Sequence, residues 1–272
     1  MTKVSKRIEK WYNLKGKTVF LTGATGMLGK YYSNVLSEVG CNVIIVDLDK
    51  NKCNSIAEEL NNKYNVNAFG MAIDITNKNE VFSGVSEIVK RFNNIDILIN
   101  NAAAEQVTYV DGKYVEFENF PLELWQSNMA VNLTGPFLCC QAIGKEMIRQ
   151  GKGVILNIGS VYGVVACDQR IYGDSKLNSS IAYATTKSGI LNFTRYLASY
   201  WQGKNIRVNC LSPGGIHNNQ KKEFVEQYKN RTMLKRMGDK DDLGSAMLYL
   251  ISDSSKWVTG TNLIVDGGWT AW

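Results

Sequence analysis

Three side chains in the second half of the sequence could together move a proton. Tyr183 and Lys187 are four residues apart in a stretch with helical spacing, so they would share one face of a helix. A phenol alone is a poor base at neutral pH, but a neighbouring ammonium group favours the phenolate. Ser160, just past an apolar run, could hydrogen-bond the same reacting oxygen. This pattern predicts acid–base chemistry at an alcohol or carbonyl oxygen.

A glycine-rich turn near the start of the chain, TGATGMLG at 22–29, predicts a second function. It follows a buried-strand pattern and opens a helical one, which is the context that a phosphate-binding turn requires. Glycine lets the backbone approach a pyrophosphate, and the free N–H groups of a helix N-terminus favour anions. The candidates for a dinucleotide site in this turn are Gly23, Thr25, Gly26, Met27, Leu28 and Gly29.

Asp47 ends the next buried strand, where a carboxylate can accept hydrogen bonds from adenosine ribose hydroxyls. The same charge would repel a 2′-phosphate, and the glycine turn contains no Lys or Arg to offset it. We therefore expect NAD rather than NADP. Asp74 could bind the adenine amino group or could simply begin a helix. With NAD bound, Tyr183 could take a proton from a substrate hydroxyl while hydride passes to the cofactor, and Lys187 could also hold the nicotinamide ribose.

Strand and helix patterns alternate along the chain. We expect strands at 17–22, 42–47, 66–74, 95–100, 153–158, 206–211 and 262–265, and helices at 28–39, 52–64, 81–92, 122–149 (one helix or two), 181–202 and 241–251. This alternation indicates an α/β fold, a doubly wound Rossmann fold with about seven parallel strands and helices on both faces. Ligands bind such sheets at the carboxyl ends of the strands, where the candidate residues fall.

The composition is that of a globular protein, and 272 residues are enough for one large domain. Residues 1–17 carry five of the six net positive charges, so we expect a basic, solvated extension at 1–14 and a single domain at 15–272. Neither nucleic acid nor a membrane is an expected partner. The chain shows no secretory signal, no long apolar stretch and no C-x-x-C pair, which favours a cytoplasmic protein with no metal site.

Further motifs identify a family. They are NNAA at 100–103, VNL at 131–133, NIGS at 157–160, SPGG at 212–215 and VDGGW at 265–269. From about Lys15 to Trp269 the chain resembles the short-chain dehydrogenase/reductases. The resemblance implies an NAD-dependent oxidoreductase that interconverts a secondary alcohol and a ketone, with Tyr183 as acid and base. It also implies a homotetramer, or else a homodimer, that acts on a small molecule, which we expect to be polar from the residues of the second insertion described below.

The same resemblance assigns roles to individual residues. Asn132 becomes the fourth catalytic residue, beside Ser160, Tyr183 and Lys187, and holds a water that relays protons to Lys187. Asn101 supports the adenosine side and the central strand, and the residues Pro213 to Ile216 cover the nicotinamide. Beyond the glycine turn and Asp47, the expected cofactor contacts are Leu48, Asp74, Ile75, Asn101, Ala102, Tyr183, Lys187, Pro213, Gly214 and Ile216.

The chain departs from the family pattern in four places. Met27 stands where the single-domain branch usually has a second glycine, as in the sugar-nucleotide-modifying branch. Ala103 replaces a usual glycine, and Asn218 stands where a threonine often binds the carboxamide. Finally, 23 positions separate Ser160 from Tyr183, more than is usual in the family.

Two unusual segments, 105–120 and 167–180, follow the fourth and fifth strands, and we expect them to form a substrate lid. The second contains the polar residues Asp168, Gln169, Arg170, Tyr172, Asp174 and Lys176. These suit a polyhydroxylated or phosphorylated substrate, with Arg170 as a clamp for phosphate or carboxylate, or else a solvated lid that makes subunit contacts. The candidate substrate residues are Arg170, Tyr172, Gly215 and His217.

The segments DQRIYG at 168–173 and GGWTAW at 267–272 resemble bacterial oxidoreductases of flagellin modification and nonulosonic (legionaminic-type) sugar synthesis. This resemblance implies a sugar, sugar phosphate or nucleotide sugar as substrate. One alternative is a sugar epimerase or dehydratase that retains its NAD, which the glycine spacing favours and the length of the chain disfavours. Another is a catalytically silent NAD-binding regulatory scaffold, against which the intact set of four catalytic residues argues.

Overall fold

Seven parallel strands form one sheet whose carboxyl ends meet at a single edge. The structure, a computed structural model, describes residues 5–104, 109–110, 113–175 and 178–272. The strands are β1 (Thr18–Thr22), β2 (Asn42–Asp47), β3 (Phe69–Ala72), β4 (Ile97–Asn100), β5 (Gly153–Ile158), β6 (Ile206–Pro213) and β7 (Asn262–Val265). Their order in the sheet is β3-β2-β1-β4-β5-β6-β7, so the strand order reverses between β1 and β4. Ligands bind doubly wound sheets at this reversal.

Helices cover both faces of the sheet. The α-helices in the described parts of the chain are α1 (Lys6–Trp11), α2 (Met27–Glu38), α3 (Lys50–Tyr64), α4 (Lys78–Phe92), α5 (Leu122–Met129), α6 (Gly135–Gln150), α7 (Ile181–Tyr200), α8 (Lys222–Arg231) and α9 (Asp241–Ile251). A small antiparallel hairpin pairs Tyr109–Val110 with Lys113–Tyr114. Within the described parts of the chain, no helix combines the length and apolar character needed to cross a bilayer.

The core consists of one apolar layer on each face of the sheet. In β1, Val19 and Leu21 pack into the layer that α2 and α9 cover, while Phe20 between them packs into the opposite layer with α4 and α6. Every residue of β1 is buried. Burial on both faces explains why the strands are continuously apolar rather than alternating.

The predicted α/β fold with about seven parallel strands is confirmed. The bounds of β2, β5, β7 and α9 agree with the sequence pattern, whereas β3 is shorter than the predicted 66–74. Before the start of β3, the N–H groups of Asn67 and Ala68 donate to the side chains of Asn42 and Asn61 instead of to a neighbouring strand. The helices α1 and α8 were not predicted. Of the expected extension at 1–14, residues 1–4 lie outside the described residues, and Leu14 is buried in the core.

The predicted helical region at 122–149 is two helices separated by a wider π-helical turn at Ala130–Thr134. Pro136 lies at the start of α6 and has no N–H to donate to the carbonyl of Asn132, four residues earlier. Regular α-helical bonding is therefore interrupted at Asn132. Single π turns inside helices are frequent at functional sites.

A buried polar chain fastens α7 to the centre of the sheet. The side chain of Asn157, on β5, is fully buried. Its carbonyl oxygen accepts from the Nδ2 of Asn100 on β4 at 2.8 Å, and its Nδ2 donates to the hydroxyl of Thr194 on α7 at 2.9 Å. Because a buried polar group without a partner is costly, these bonds help to fix α7 against β5.

We expect Asn157→Leu to lower the free energy of unfolding by about 2–3 kcal/mol, because it leaves the partners on β4 and α7 without their bonds. Thr194→Val should have a smaller effect, because it retains the bond between Asn157 and Asn100. Urea unfolding of both variants beside the wild type measures the difference. Equal midpoints for Asn157→Leu and the wild type would show that the buried chain is not stabilising.

Candidate active site

The three glycines of the turn between β1 and α2 have different structural roles. Gly23 has a φ of +63°, and a Cβ there would lie 2.6 Å from the Cα of Ala102. A Cβ on Gly29 would overlap the carbonyl oxygen of Gly23, so α2 packs directly on the turn. A Cβ on Gly26 would have only that oxygen within 4 Å, at 3.4 Å. Since Gly26 directly precedes α2, the backbone here is open to a phosphate at a helix N-terminus.

Asp47 holds the shape of this turn from the end of β2. Its Oδ2 accepts from the backbone N–H of Thr25 at 3.0 Å and from the Thr25 hydroxyl at 2.8 Å. Its Oδ1 accepts from the N–H of Leu48 at 2.8 Å. The carboxylate is half-buried and lies at the edge of a cavity, so it has room to accept from a ligand as well.

Asn101 fastens the end of β4 to the same turn. Its Nδ2 donates to the carbonyl oxygens of Thr22 and Gly23 at 3.0 and 3.1 Å. The Thr22 hydroxyl in turn accepts from the N–H groups of Asn101 and Ala102, both at 3.1 Å. The turn is therefore held from β2 on one side and from β4 on the other.

A cavity of about 490 Å³ opens beside the glycine turn. Its described lining includes two carboxylates, those of Asp47 and Asp74, and no Lys or Arg. Asp74 begins a local turn, since its Oδ1 accepts from the backbone N–H and the hydroxyl of Thr76. The open backbone at Gly26 and the hydrogen-bond acceptors on the far wall fit an adenosine pyrophosphate.

A second cavity, of about 320 Å³, adjoins the first, because Met27, Leu28, Asn101 and Ala103 line both. Ser160, Tyr183 and Lys187 all line this second cavity. The two spaces together form one cleft along the carboxyl edge of the sheet. The expected cofactor site and the expected chemical site are therefore neighbours.

Lys187 and Ser160 of the chemical site are held by short polar contacts. Lys187 is only 5% exposed. Its Nζ donates to the carbonyl oxygen of Ile158 at 2.7 Å and lies 5.5 Å from the centre of the Tyr183 ring. The Ser160 hydroxyl accepts from the N–H of Tyr162 at 3.2 Å, which leaves its own proton for another acceptor. An ammonium group, a phenol and a hydroxyl thus surround the same space.

Asn132 lies behind the cleft rather than in its lining. Its Oδ1 accepts from the N–H of Ala104 at 2.8 Å, and its Nδ2 donates to the Thr186 hydroxyl at 3.0 Å. Thr186 lies on α7 between Tyr183 and Lys187 and donates back to the carbonyl of Tyr183. In the structure, the amide of Asn132 therefore connects the end of β4 to the helix that carries the chemical residues.

The structure places the other predicted residues as follows. Every predicted cofactor residue lines one of the two cavities, and so do Tyr172 and Gly215 among the predicted substrate residues. Arg170 and His217 do not line the cleft. The Arg170 side chain is 80% exposed and is held by Asp168, and His217 is exposed on a loop whose backbone pairs with Gly238.

Residues 23–270 match the short-chain dehydrogenase family described as enoyl-(acyl carrier protein) reductase. The chain belongs to the short-chain dehydrogenase/reductase family. Its relatives include proteins named as dehydrogenases and reductases, and it is an oxidoreductase that acts on CH–OH groups.

Two of the bacterial relatives of this short-chain dehydrogenase/reductase indicate the range of named functions. It is 33% identical to the NAD-dependent glycerol dehydrogenase of Listeria innocua, over 97% of this chain and 98% of the relative. It is 30% identical to the post-translational flagellin modification protein A of Campylobacter coli, over 94% and 99% respectively.

Two of the solved structures that share its fold match it over nearly their whole length. A short-chain dehydrogenase from Leptospira borgpetersenii with bound NAD+ has a TM-score of 0.84 and 35% identity, covering 99% of this chain and 98% of that chain. A gluconate 5-dehydrogenase from Burkholderia cenocepacia in complex with NADP and tartrate has a TM-score of 0.87 and 27% identity, covering 97% and 99%.

The sequence interpretation missed an aromatic wall on the side of the cleft away from the glycine turn. Phe224 and Tyr228 on α8 line the second cavity beside Tyr162 and Tyr172. The rings of Tyr172 and Phe224 are 5.3 Å apart, and those of Phe224 and Tyr228 are 6.0 Å apart. The available signal was the spacing of four between the two aromatic residues of a helix that is otherwise polar except for Val225.

The segment after β5 is fastened to α8 by an ion pair. The carboxylate of Asp168 binds Arg170 beside it at 2.8 Å and Arg231 at the end of α8 at 2.9 Å. The hydrogen bond from Arg170, with a smaller contribution from the charge of Arg231, lowers the pKa of Asp168. The side chain of Asp174, all of Lys176, and residues 105–108 and 111–112 of the first predicted insertion lie outside the described residues.

Two glycines of the turn, Gly26 and Gly29, provide a matched pair of variants. We expect Gly29→Ala to lower the free energy of unfolding by about 3 kcal/mol, because the added methyl overlaps the backbone of the turn. Gly26→Ala should leave the midpoint of unfolding nearly unchanged but weaken binding of the nicotinamide dinucleotide by about tenfold. Denaturant unfolding and fluorescence titration separate the two effects. Normal dinucleotide affinity in Gly26→Ala would contradict a phosphate at this position.

Proposed function

We propose that this protein is an NAD(H)-dependent dehydrogenase that interconverts a secondary alcohol and a ketone, with Tyr183 as acid and base. One observation carries the proposal. Ser160, Tyr183 and Lys187 line a cavity that adjoins the cavity beside the glycine turn. A nicotinamide held along this cleft would lie next to a phenol, an ammonium group and a hydroxyl.

The residues of the second cavity are suited to moving one proton at the substrate oxygen. In the oxidative direction the Tyr183 oxygen takes the proton of the substrate hydroxyl, and in reduction it returns the proton. The ammonium group of Lys187 stabilises the phenolate electrostatically, and Ser160 donates to the reacting oxygen as charge develops on it. A nicotinamide held in the cleft would supply or accept the hydride. We propose that Asn132 holds a water molecule that relays protons to Lys187.

The charge of the first cavity supports NAD rather than NADP as the cofactor. A 2′-phosphate would lie against the carboxylate of Asp47, and no Lys or Arg among the described lining residues would neutralise it. The relative from Listeria is named as NAD-dependent and the structure from Leptospira contains NAD+, whereas the structure from Burkholderia contains NADP. The lining of this chain's own cavity is the reason for choosing NAD.

A polyhydroxylated substrate, namely a sugar, sugar phosphate or nucleotide sugar, is our proposal for the second cavity. Its aromatic wall and the polar groups of Tyr162, Tyr172 and Gln220 offer apolar faces with a few hydrogen-bonding groups, as small-molecule sites commonly do. The named functions of the two curated relatives, glycerol oxidation and flagellin modification, agree with this class. The segments 105–120 and 167–180 are proposed to be its lid.

Replacing the proposed acid and base tests the reaction type. We expect Tyr183→Phe to bind NAD like the wild type and to lose turnover by about 10²–10⁴-fold, because the substitution removes the hydroxyl that takes the substrate proton. Tyr196→Phe is the matched control, since Tyr196 lies on the same helix but is mostly exposed. NADH fluorescence with a panel of polyols, sugars, sugar phosphates and nucleotide sugars measures turnover.

An unchanged rate of NAD reduction in Tyr183→Phe would overturn the assignment of the acid and base. A cofactor that stays with the wild-type protein through gel filtration, with turnover but no net NADH, would instead favour the epimerase or dehydratase alternative. A wild type that converts no member of the panel, but binds NAD, would favour the silent scaffold.

Cofactor choice is tested at Asp47. We expect Asp47→Ala to weaken NAD binding by about tenfold and to reduce the preference for NAD over NADP, because no carboxylate remains to accept from the ribose. Thr25→Val is the control, because it removes the hydroxyl bond to Asp47 but retains the carboxylate. Titration of both variants with NAD and NADP measures the preference. If Thr25→Val lost the preference equally, the shape of the turn rather than the charge would be responsible.

A further inference from the structure

Tyr228 is a second buried phenol beside the proposed reaction site. It lies on α8, is 2% exposed, and lines the same cavity as Ser160 and Tyr183. Its ring stacks on Trp269 with the centres 4.4 Å apart and the planes at 22°. Together with the neighbouring ring of Phe224, this stack holds the phenol in one orientation.

The backbone after β6 is shaped to receive this ring. A Cβ on Gly215 would lie 2.7 Å from the ring of Tyr228, and a Cβ on Gly214 would lie 3.2 Å from its oxygen. The N–H of Gly215 donates to the phenol oxygen. The consecutive glycines therefore let the phenol approach the segment that is expected to cover the nicotinamide.

The proton of the Tyr228 hydroxyl has no acceptor among the described residues. The phenol oxygen already accepts from Gly215, so the O–H bond must point elsewhere. The carboxylate of Asp266, whose charge acts on Tyr228, accepts from the N–H groups of Gly268 and Thr270 and from the Thr270 hydroxyl, but it forms no hydrogen bond with Tyr228. Burial raises the pKa of Tyr228 to about 12, so the phenol keeps its proton at neutral pH. A buried donor without a partner is costly unless a ligand supplies the acceptor.

We propose that Tyr228 is a specificity-determining residue that donates a hydrogen bond to an oxygen of the substrate other than the one that reacts. The inference rests on the proposed function, in which Ser160 and Tyr183 already serve the reacting oxygen. A second donor in the same small cavity then suits a substrate with a further hydroxyl or carbonyl group. This donor distinguishes a polyhydroxylated substrate from a simple alcohol.

The test compares the loss of a hydroxyl from the protein with the loss of a hydroxyl from the substrate. Wild type and Tyr228→Phe are assayed with the most active compound of the panel and with its monodeoxy analogues, each lacking one non-reacting hydroxyl. Tyr228→Phe retains the ring that stacks on Trp269, so the wall of the cavity is preserved. Tyr200→Phe, a surface phenol at the end of α7, is the control for removal of a phenol hydroxyl elsewhere.

We expect one analogue to lose about tenfold or more in kcat/KM with the wild type, since a donor left without its acceptor discriminates strongly. With Tyr228→Phe, that same analogue and the parent compound should react at nearly equal kcat/KM, while NAD affinity stays at the wild-type level. If every analogue carried the same penalty in Tyr228→Phe as in the wild type, the proposal would be wrong. A fall in NAD affinity alone would also overturn it, because Tyr228 would then serve only to support Gly215.

Failure of the proposed function gives a different result. In that case the wild type reduces no NAD with any compound of the panel, or Tyr183→Phe stays active, and the role of Tyr228 falls with it. If Tyr228→Phe is active but the monodeoxy analogues still lose as much kcat/KM as they do with the wild type, only the role of Tyr228 is overturned.

Discussion

The buried ammonium group of Lys187 is the interaction on which the arrangement of the chemical site depends. A charge in the interior is tolerated only when it is hydrogen-bonded, and its partner is the last carbonyl of β5, that of Ile158. Two turns further along α7, Thr194 accepts from Asn157 on the same strand. These two bonds set the position of α7 along β5. The position of Tyr183, one turn before the ammonium group, follows from them.

The sequence predicted the sheet well because its strands are buried on both faces. A strand such as β5, GVILNI, leaves little choice of structure when glycine residues and helical patterns flank it. The rule that ligands bind at strand carboxyl ends then predicted most of the cleft. By contrast, α8 (KEFVEQYKNR) is charged over most of its surface and buries only Tyr228 completely. So narrow an apolar stripe gives too weak a pattern to indicate a helix.

The sequence could not predict which way a polar side chain turns. Arg170 has the right charge to bind a phosphate. In the structure, however, its guanidinium group binds the carboxylate of Asp168, two residues earlier, and lies outside the cleft. Asn132 was assigned to the catalytic set by resemblance, whereas its amide contacts depend on Ala104 and Thr186, which are distant in sequence. Such orientations are decided by competition among partners that only the folded chain brings together.

The bond between Asp47 and Thr25 has a consequence for how this protein could change in evolution. One carboxylate both holds the backbone of the turn and sets the charge near the expected ribose, so a mutation toward NADP would also loosen the loop that receives the pyrophosphate. A lineage moving in that direction would first need a compensating change that holds the turn in another way. The proposed preference for NAD is therefore expected to resist change by single substitutions.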